Sequence, residues 1–103
     1  MLEEELSKFA EREFCLMTSS GSAAIIAALR SLGLPEDAEV IMPSISCPSV
    51  LSAIQLAGYK AVLADVDSKN FCMGPSQIEQ VKSKKSKVIL AIHSFGKTCL
   101  IQD

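Results

Sequence analysis

Apolar residues recur along this chain in a regular order: a short apolar run, a helical stripe, then a turn of small or helix-breaking residues. Leu2, Leu6, Phe9 and Ala10 share one helical face and glutamates fill much of the rest, so the pattern predicts a helix over 2–13. Glu3, Glu4 and Glu5 in its first turn suit the positive end of a helix dipole. The run Phe14-Cys15-Leu16-Met17 predicts a short strand over 14–18, and Ala23 to Arg30 a helix over 21–32 that Gly33 and Pro35 stop. A second strand is expected over 38–42, ended by Pro43. A helix over 48–57 follows, with Pro48 at a favourable first position and Gly58 just past its end. The pattern closes with a strand over 60–66, a helix from Pro75 to about Lys82, and a strand over 87–94.

The predicted strands are continuous apolar runs more than alternating ones, as in a parallel sheet covered by helices on both faces. The fold class expected is therefore α/β, a three-layer α/β/α arrangement with a mostly parallel sheet. Loops after the carboxyl ends of such strands are where open α/β sheets bind ligands. Three loops qualify: Ser19–Ser22, Pro43–Cys47 and His93–Gly96 should line one edge of the sheet.

Composition narrows this without redirecting it. The chain has 103 residues, 49% of them apolar and 21% charged, with a net charge of -2, which suits one folded domain. The acidic balance argues against nucleic acid as a partner. The lysines between Lys82 and Lys87 have no interleaved aromatic residue, so they read as a solvated helix end. No run approaches the roughly 20 apolar residues of a membrane helix. The acidic N-terminus is unlike a secretion signal, so a cytoplasmic location is expected. Cys15, Cys47, Cys72 and Cys99 lie far apart and only one histidine is present, so no metal site is expected. Each cysteine has apolar neighbours, and the default reading is a reduced thiol packed as a small hydrophobe.

The chemistry concentrates in Thr18-Ser19-Ser20-Gly21-Ser22-Ala23-Ala24. A strand that turns through small, hydroxyl-bearing residues into a helix presents unpaired amides and the positive end of the dipole to an anion. The plain alternative is a capped helix start with Ser19 or Ser20 as N-cap. Asp65 and Asp67 would face opposite ways if extended, so turn formation explains them better than paired catalysis. His93 follows an apolar strand and reads as a structural histidine, and Lys97 as solvent-exposed. A serine or cysteine hydrolase has little support, because no Gly-x-Ser-x-Gly elbow is present and spacing does not pair His93 with Cys47 or a serine.

Taken in order, Ser19-Ser20-Gly21-Ser22-Ala23-Ala24, Glu39 through Pro48, Ala64-Asp65-Val66-Asp67 and His93-Ser94-Phe95-Gly96 resemble the DegT/DnrJ/EryC1/StrS aminotransferases, pyridoxal-phosphate enzymes of fold type I. The resemblance runs from about Phe9 to Asp103. It implies that the chain is the N-terminal part of a cofactor-binding large domain of the aspartate aminotransferase kind. By the same resemblance, Ser20, Gly21, Ser22 and Ala23 would hold the cofactor phosphate. Cys47 would lie against the pyridine ring where many members carry an aromatic residue, and His93 and Gly96 would sit near the site without an assigned catalytic role.

The implied reaction moves an amino group from an amino-acid donor, glutamate in the first instance, to a nucleotide-linked keto-sugar. It needs a lysine to form the Schiff base and an acid to keep the ring nitrogen protonated. The family places both after the His-x-x-Gly turn, and none of the eight lysines matches a family lysine position. No catalytic residue is therefore assigned, and the chain alone is expected to be inactive. The resemblance also implies a homo-oligomer, and a sheet cut from a larger domain is expected to self-associate through its free edge. The competing reading is a non-catalytic α/β module that binds a phosphorylated small molecule or a partner chain.

Overall fold

The computed structural model describes residues 1–100. Four α-helices, α1 (Leu2–Phe9), α2 (Gly21–Ser31), α3 (Pro48–Leu56) and α4 (Pro75–Val81), accompany three strands, β1 (Glu39–Pro43), β2 (Lys60–Ala64) and β3 (Ser86–Ile89). The strands form a parallel sheet in the order β2-β1-β3. The expected α/β class and parallel sheet are both present.

The central strand explains the rest. All five residues of β1 are buried. Val40 and Met42 face one side, where they pack with Leu29 of α2 and Ile54 of α3, and partly buried Ile25, Ile26, Val50 and Leu51 complete that layer. Ile41 faces the other side and packs with Ala64, Met73 and, from α4, Ile78 and Val81. Alternate residues of one strand thus feed two helical layers, which is why its sequence reads as a continuous apolar run. The flanking strands are covered less completely: Leu63 of β2 and Ile89 of β3 remain about half exposed.

The helices stop where expected. Gly33 and Gly58 follow the C-caps of α2 and α3 with φ of 59° and 95°, left-handed values that a side chain would resist.

Three expectations need correction. The helix expected over 2–13 ends at Phe9, because Glu11 takes a positive φ of 52° and turns the chain. The strand expected over 14–18 is absent. Among the described residues no strand pairs with it, Phe14 and Leu16 are exposed, and the Met17 amide donates to the Glu3 carboxylate at 2.7 Å. An extended apolar run becomes a strand only when a neighbour accepts its ladder bonds. Finally, the strands expected over 60–66 and 87–94 are shorter.

Each shortening has a local cause. Beyond Ala64, Asp65 and Asp67 bind nearby amides and begin a turn. On the other edge, the Glu39 amide donates to Lys85 and the Ile41 carbonyl accepts from Leu90, so residues 39, 41 and 43 of β1 point their hydrogen-bonding groups toward β3. Pro43 has no N–H to give, and the ladder ends there.

Candidate functional site

The parallel sheet sends the chain out of β1 and β3 at the same end. From β1 it passes through Ser44–Cys47 into α3, and from β3 through Leu90–Ile92 into the His93–Gly96 turn. Helices α2 and α3 pack side by side on one face. The Arg30 guanidinium donates to the Leu56 carbonyl at 3.0 Å, tying their C-terminal turns together. Their N-termini, at Ser20 and Cys47, therefore both open toward the carboxyl end of β1. The convergence of three loops expected from the sequence is present.

At the first loop, Ser20 is extended, and its Oγ accepts the Ala23 N–H at 3.1 Å while its carbonyl accepts that of Ala24 at 3.1 Å. Ser20 is thus the N-cap of α2. The Thr18 hydroxyl donates to the same Ser20 carbonyl at 3.0 Å, which fixes the approach to the helix. Among the described residues the amides of Gly21 and Ser22 have no partner, as the first amides of a helix require an outside acceptor. A Cβ placed on Gly21 would meet nothing within 4 Å, so the space above these amides is open.

The cap and an anion cradle are compatible. Ser20 Oγ accepts from Ala23 and still has its own proton to donate. An oxyanion could take that proton, the Gly21 and Ser22 amides and the Ser22 hydroxyl together. The Ala23 amide is already used by Ser20, so it joins only if Ser20 Oγ gives way. The loop fits a phosphate.

The second loop departs from its default reading. Cys47 is exposed rather than packed as a small hydrophobe; Cys72 and Cys99 are the buried cysteines and Cys15 is half-buried. Cys47 occupies the N-cap position of α3, and the Ser49 hydroxyl donates to its sulfur at 3.1 Å. That hydrogen bond favours the thiolate and draws the Cys47 thiol below the ordinary thiol range. Ser49 did not stand out in the sequence. The signal available was its place two residues after a cysteine that precedes a helix-starting proline.

The third loop is a tight turn. His93 is exposed, and its Nδ1 accepts the Cys99 N–H at 3.0 Å. This is a structural hydrogen bond, and among the described residues Nε2 has no partner. Phe95 and Gly96 both have positive φ, 55° and 73°. Asp67 is engaged in a turn of its own, its Oδ1 accepting the Lys69 N–H at 2.8 Å, in keeping with the turn role expected for it. Lys97 is exposed as expected, and its Nζ donates to the Lys69 carbonyl at 3.1 Å.

Comparison with known proteins gives one consistent result. The profile of the DegT/DnrJ/EryC1/StrS aminotransferase family matches residues 1–103. The chain is 35% identical to 3-oxo-glucose-6-phosphate:glutamate aminotransferase of Bacillus subtilis (strain 168), over 92% of this chain and 22% of that protein. It is 33% identical to GDP-perosamine synthase of Escherichia coli O157:H7, over 90% of this chain and 26% of that protein. Among solved structures it is similar to NtdA of Bacillus subtilis with bound cofactor PMP, with a TM-score of 0.89 and 34% identity over 97% of this chain and 23% of that one. It is also similar to the aminotransferase from Psychrobacter cryohalolentis, with a TM-score of 0.85 and 27% identity over 94% of this chain and 25% of that one. The chain therefore spans about a quarter of the length of the relatives it matches.

Proposed function

The chain belongs to the DegT/DnrJ/EryC1/StrS aminotransferase family, and from that premise we propose that it forms the phosphate-binding wall of a pyridoxal-phosphate pocket in a sugar aminotransferase. Ser20, Gly21 and Ser22 hold the cofactor phosphate, Ala23 joins them where Ser20 Oγ releases its amide, and Cys47 borders the ring. The observation that carries this reading is the pair of partner-free amides at Gly21 and Ser22, under open space and at the same sheet end as Cys47. The bound cofactor supplies an electron sink that lets a proton be moved at the carbon bearing the amino group.

The residues of this chain bind and orient. Ser20 and Ser22 donate their hydroxyl protons to the phosphate oxygens, and the start of α2 offers its dipole to the phosphate charge. The exposed sulfur of Cys47 provides a polarizable contact where an aromatic ring would otherwise stack. Ser49 orients that sulfur through its hydrogen bond. His93 keeps the third loop folded by holding the Cys99 amide.

The amino donor is an amino acid, with glutamate the first candidate, and the acceptor is a keto-sugar carrying a nucleotide. The relative named for GDP-perosamine supports a nucleotide-linked acceptor, whereas the one named for 3-oxo-glucose-6-phosphate and glutamate supports the donor and points to a sugar phosphate without a nucleotide. The complete protein acts as a homo-oligomer in the cytoplasm. Among the described residues no helix is long and apolar enough to cross a membrane.

The test is a titration of the complete protein with pyridoxamine phosphate, followed by calorimetry. Ser20→Ala with Ser22→Ala should weaken binding at least tenfold, and inorganic phosphate should compete in the unchanged protein. Unaltered affinity in the double variant would sink the assignment of the loop. Binding of several phosphorylated molecules alike, with no amino transfer by the complete protein, would favour the non-catalytic module.

A further inference from the structure

At the end of the sheet opposite the candidate site, one carboxylate organises a whole turn. Glu39, the first residue of β1, is 8% exposed. Its Oε2 accepts from the Ser83 hydroxyl at 2.7 Å and from the Ser86 hydroxyl at 3.3 Å, and its Oε1 pairs with Lys60 of β2 at 3.5 Å. The two hydroxyls also accept: Ser83 Oγ takes the Lys85 N–H at 3.0 Å, and Ser86 Oγ takes the Ser83 N–H at 3.0 Å. The Glu39 N–H donates to the Lys85 carbonyl at 2.9 Å, and the Lys85 ammonium holds Asp37 at 3.3 Å. Main chain and side chain of one residue thus grip the 83–86 turn. A buried carboxylate without these donors is costly, so the turn and the charge require each other.

The ladder beside this turn is out of step by one residue. In a regular parallel pair, two steps along one strand match two steps along the other. The Glu39 N–H meets the Lys85 carbonyl, so a regular ladder would bring the Ile41 carbonyl to the Ile89 N–H. It accepts from Leu90 instead, at 2.8 Å. The pairing agrees: Glu39 lies opposite Ser86, yet Val40 lies opposite Val88. Over this stretch β3 holds one residue more than β1, and the extra residue is Lys87.

Two demands on β3 produce this mismatch. Beyond the bulge, Val88 and Leu90 pack on the layer of Val40, Met42, Leu29 and Ile54. Before it, Ser86 faces Glu39. Residues opposite one another in a parallel pair point to the same side of the sheet. An unbroken ladder starting from Glu39 and Ser86 would therefore put Lys87 beside Val40 in the apolar layer and turn Val88 to the other side. The run Val88–Ile92 is apolar at every position, so its own pattern does not choose between the two registers.

We propose that Glu39 is a register clamp: it fixes the 83–86 turn on β1 independently of the apolar core, and the bulge at Lys87 is the joint where the two registers meet. The clamp sets one side of the joint and the core sets the other. The joint also positions the third loop. It takes up one residue, so the His93–Gly96 turn begins about 3.3 Å nearer the sheet than an unbroken ladder would place it.

Two deletions in the complete protein test the joint. Deleting Lys87 lets Ser86 and Val88 follow one another on a regular ladder with both demands met, and this variant should melt within about 3 °C of the unchanged protein. Deleting Ile89, itself half exposed, leaves a regular ladder with Lys87 in the apolar layer, and should lower the melting temperature by on the order of 10 °C. Equal losses from the two deletions would overturn the proposal. Hydrogen exchange tests the clamp. In Glu39→Leu the Ser83 and Lys85 amides, held by the turn hydroxyls, should exchange about tenfold faster or more, while the Leu90 amide stays slow. Unchanged exchange at Lys85, or equal acceleration at Leu90, would show that the clamp and the core are not separate. If Glu39→Leu does not fold, the pair of deletions decides the question.

Discussion

The centre of the molecule and its first eighteen residues have similar apolar content and opposite fates. In the centre, Val40 and Ile54 are fully buried. In the N-terminal arm, Phe9 is 89% exposed and Phe14 82%. Both regions carry the right pattern, a helical stripe in one place and an apolar run in another. The centre has partners on every side: β1 lies between two strands and between two helical layers. The Met17-to-Glu3 hydrogen bond holds the arm only to itself. Apolar sequence creates the tendency to pack, and the surface available to receive it decides whether packing occurs.

That contrast can be broken by mutation, starting with the centre. Ile54→Ala should cost about 2–5 kcal/mol in urea unfolding, because it opens a cavity beneath β1 that α2 and α3 cannot close. A cost near that of a surface substitution would mean that the two helices are not docked in solution. Ser20→Ala should cost about 1 kcal/mol through loss of the cap on the Ala23 amide. The more informative result is its pairing with weaker phosphate binding, since a purely structural cap would change stability alone.

Two titrations extend the comparison to charge. Cys47 should alkylate fastest of the four thiols, with a pH midpoint below that of an ordinary cysteine, and Ser49→Ala should move the midpoint up. At the opposite end of β1, the Glu39 carboxylate accepts from Ser83 Oγ at 2.7 Å and from Ser86 Oγ at 3.3 Å, and pairs with Lys60 at 3.5 Å. The Ser83 hydrogen bond is the main reason that its pKa is lowered. A depressed folded-state pKa adds stability above the ordinary glutamate range and loses it as pH falls through the folded value. Glu39→Gln should therefore flatten the acid side of a plot of melting temperature against pH, and an unchanged acid limb would exclude this cluster as its source. The smallest effect belongs to the arm: Phe14→Ala should change stability by no more than about 0.5 kcal/mol. A larger loss would show that the arm is covered in solution, by a second copy or by further chain.

Much of the fold was legible because its signals are local. Gly33 and Gly58 mark the ends of α2 and α3, Pro48 and Pro75 mark helix starts, and the apolar block of β1 announces a strand covered on both faces. The 14–18 run was misread because nothing local distinguishes an extended segment with a ladder partner from one without. The end of β3 depended on which side of β1 Pro43 faces, a matter of register between distant segments. At the candidate site, the capping role of Ser20 follows from residue type and position alone. The hydrogen bond from Ser49 to Cys47 and the exposure of that thiol do not.

The sequence by itself determined the α/β class, most helix boundaries, the amide-rich start of α2 and, through four ordered motifs, the family. These depend on backbone preferences and on residues close together along the chain. Only the tertiary structure decided that the N-terminal arm forms no strand and that Cys47 is exposed while Cys72 and Cys99 are buried. Burial and proximity are properties of the assembled chain. Residues 25 positions apart, such as Cys72 and Lys97, become neighbours only when two turns fold against each other.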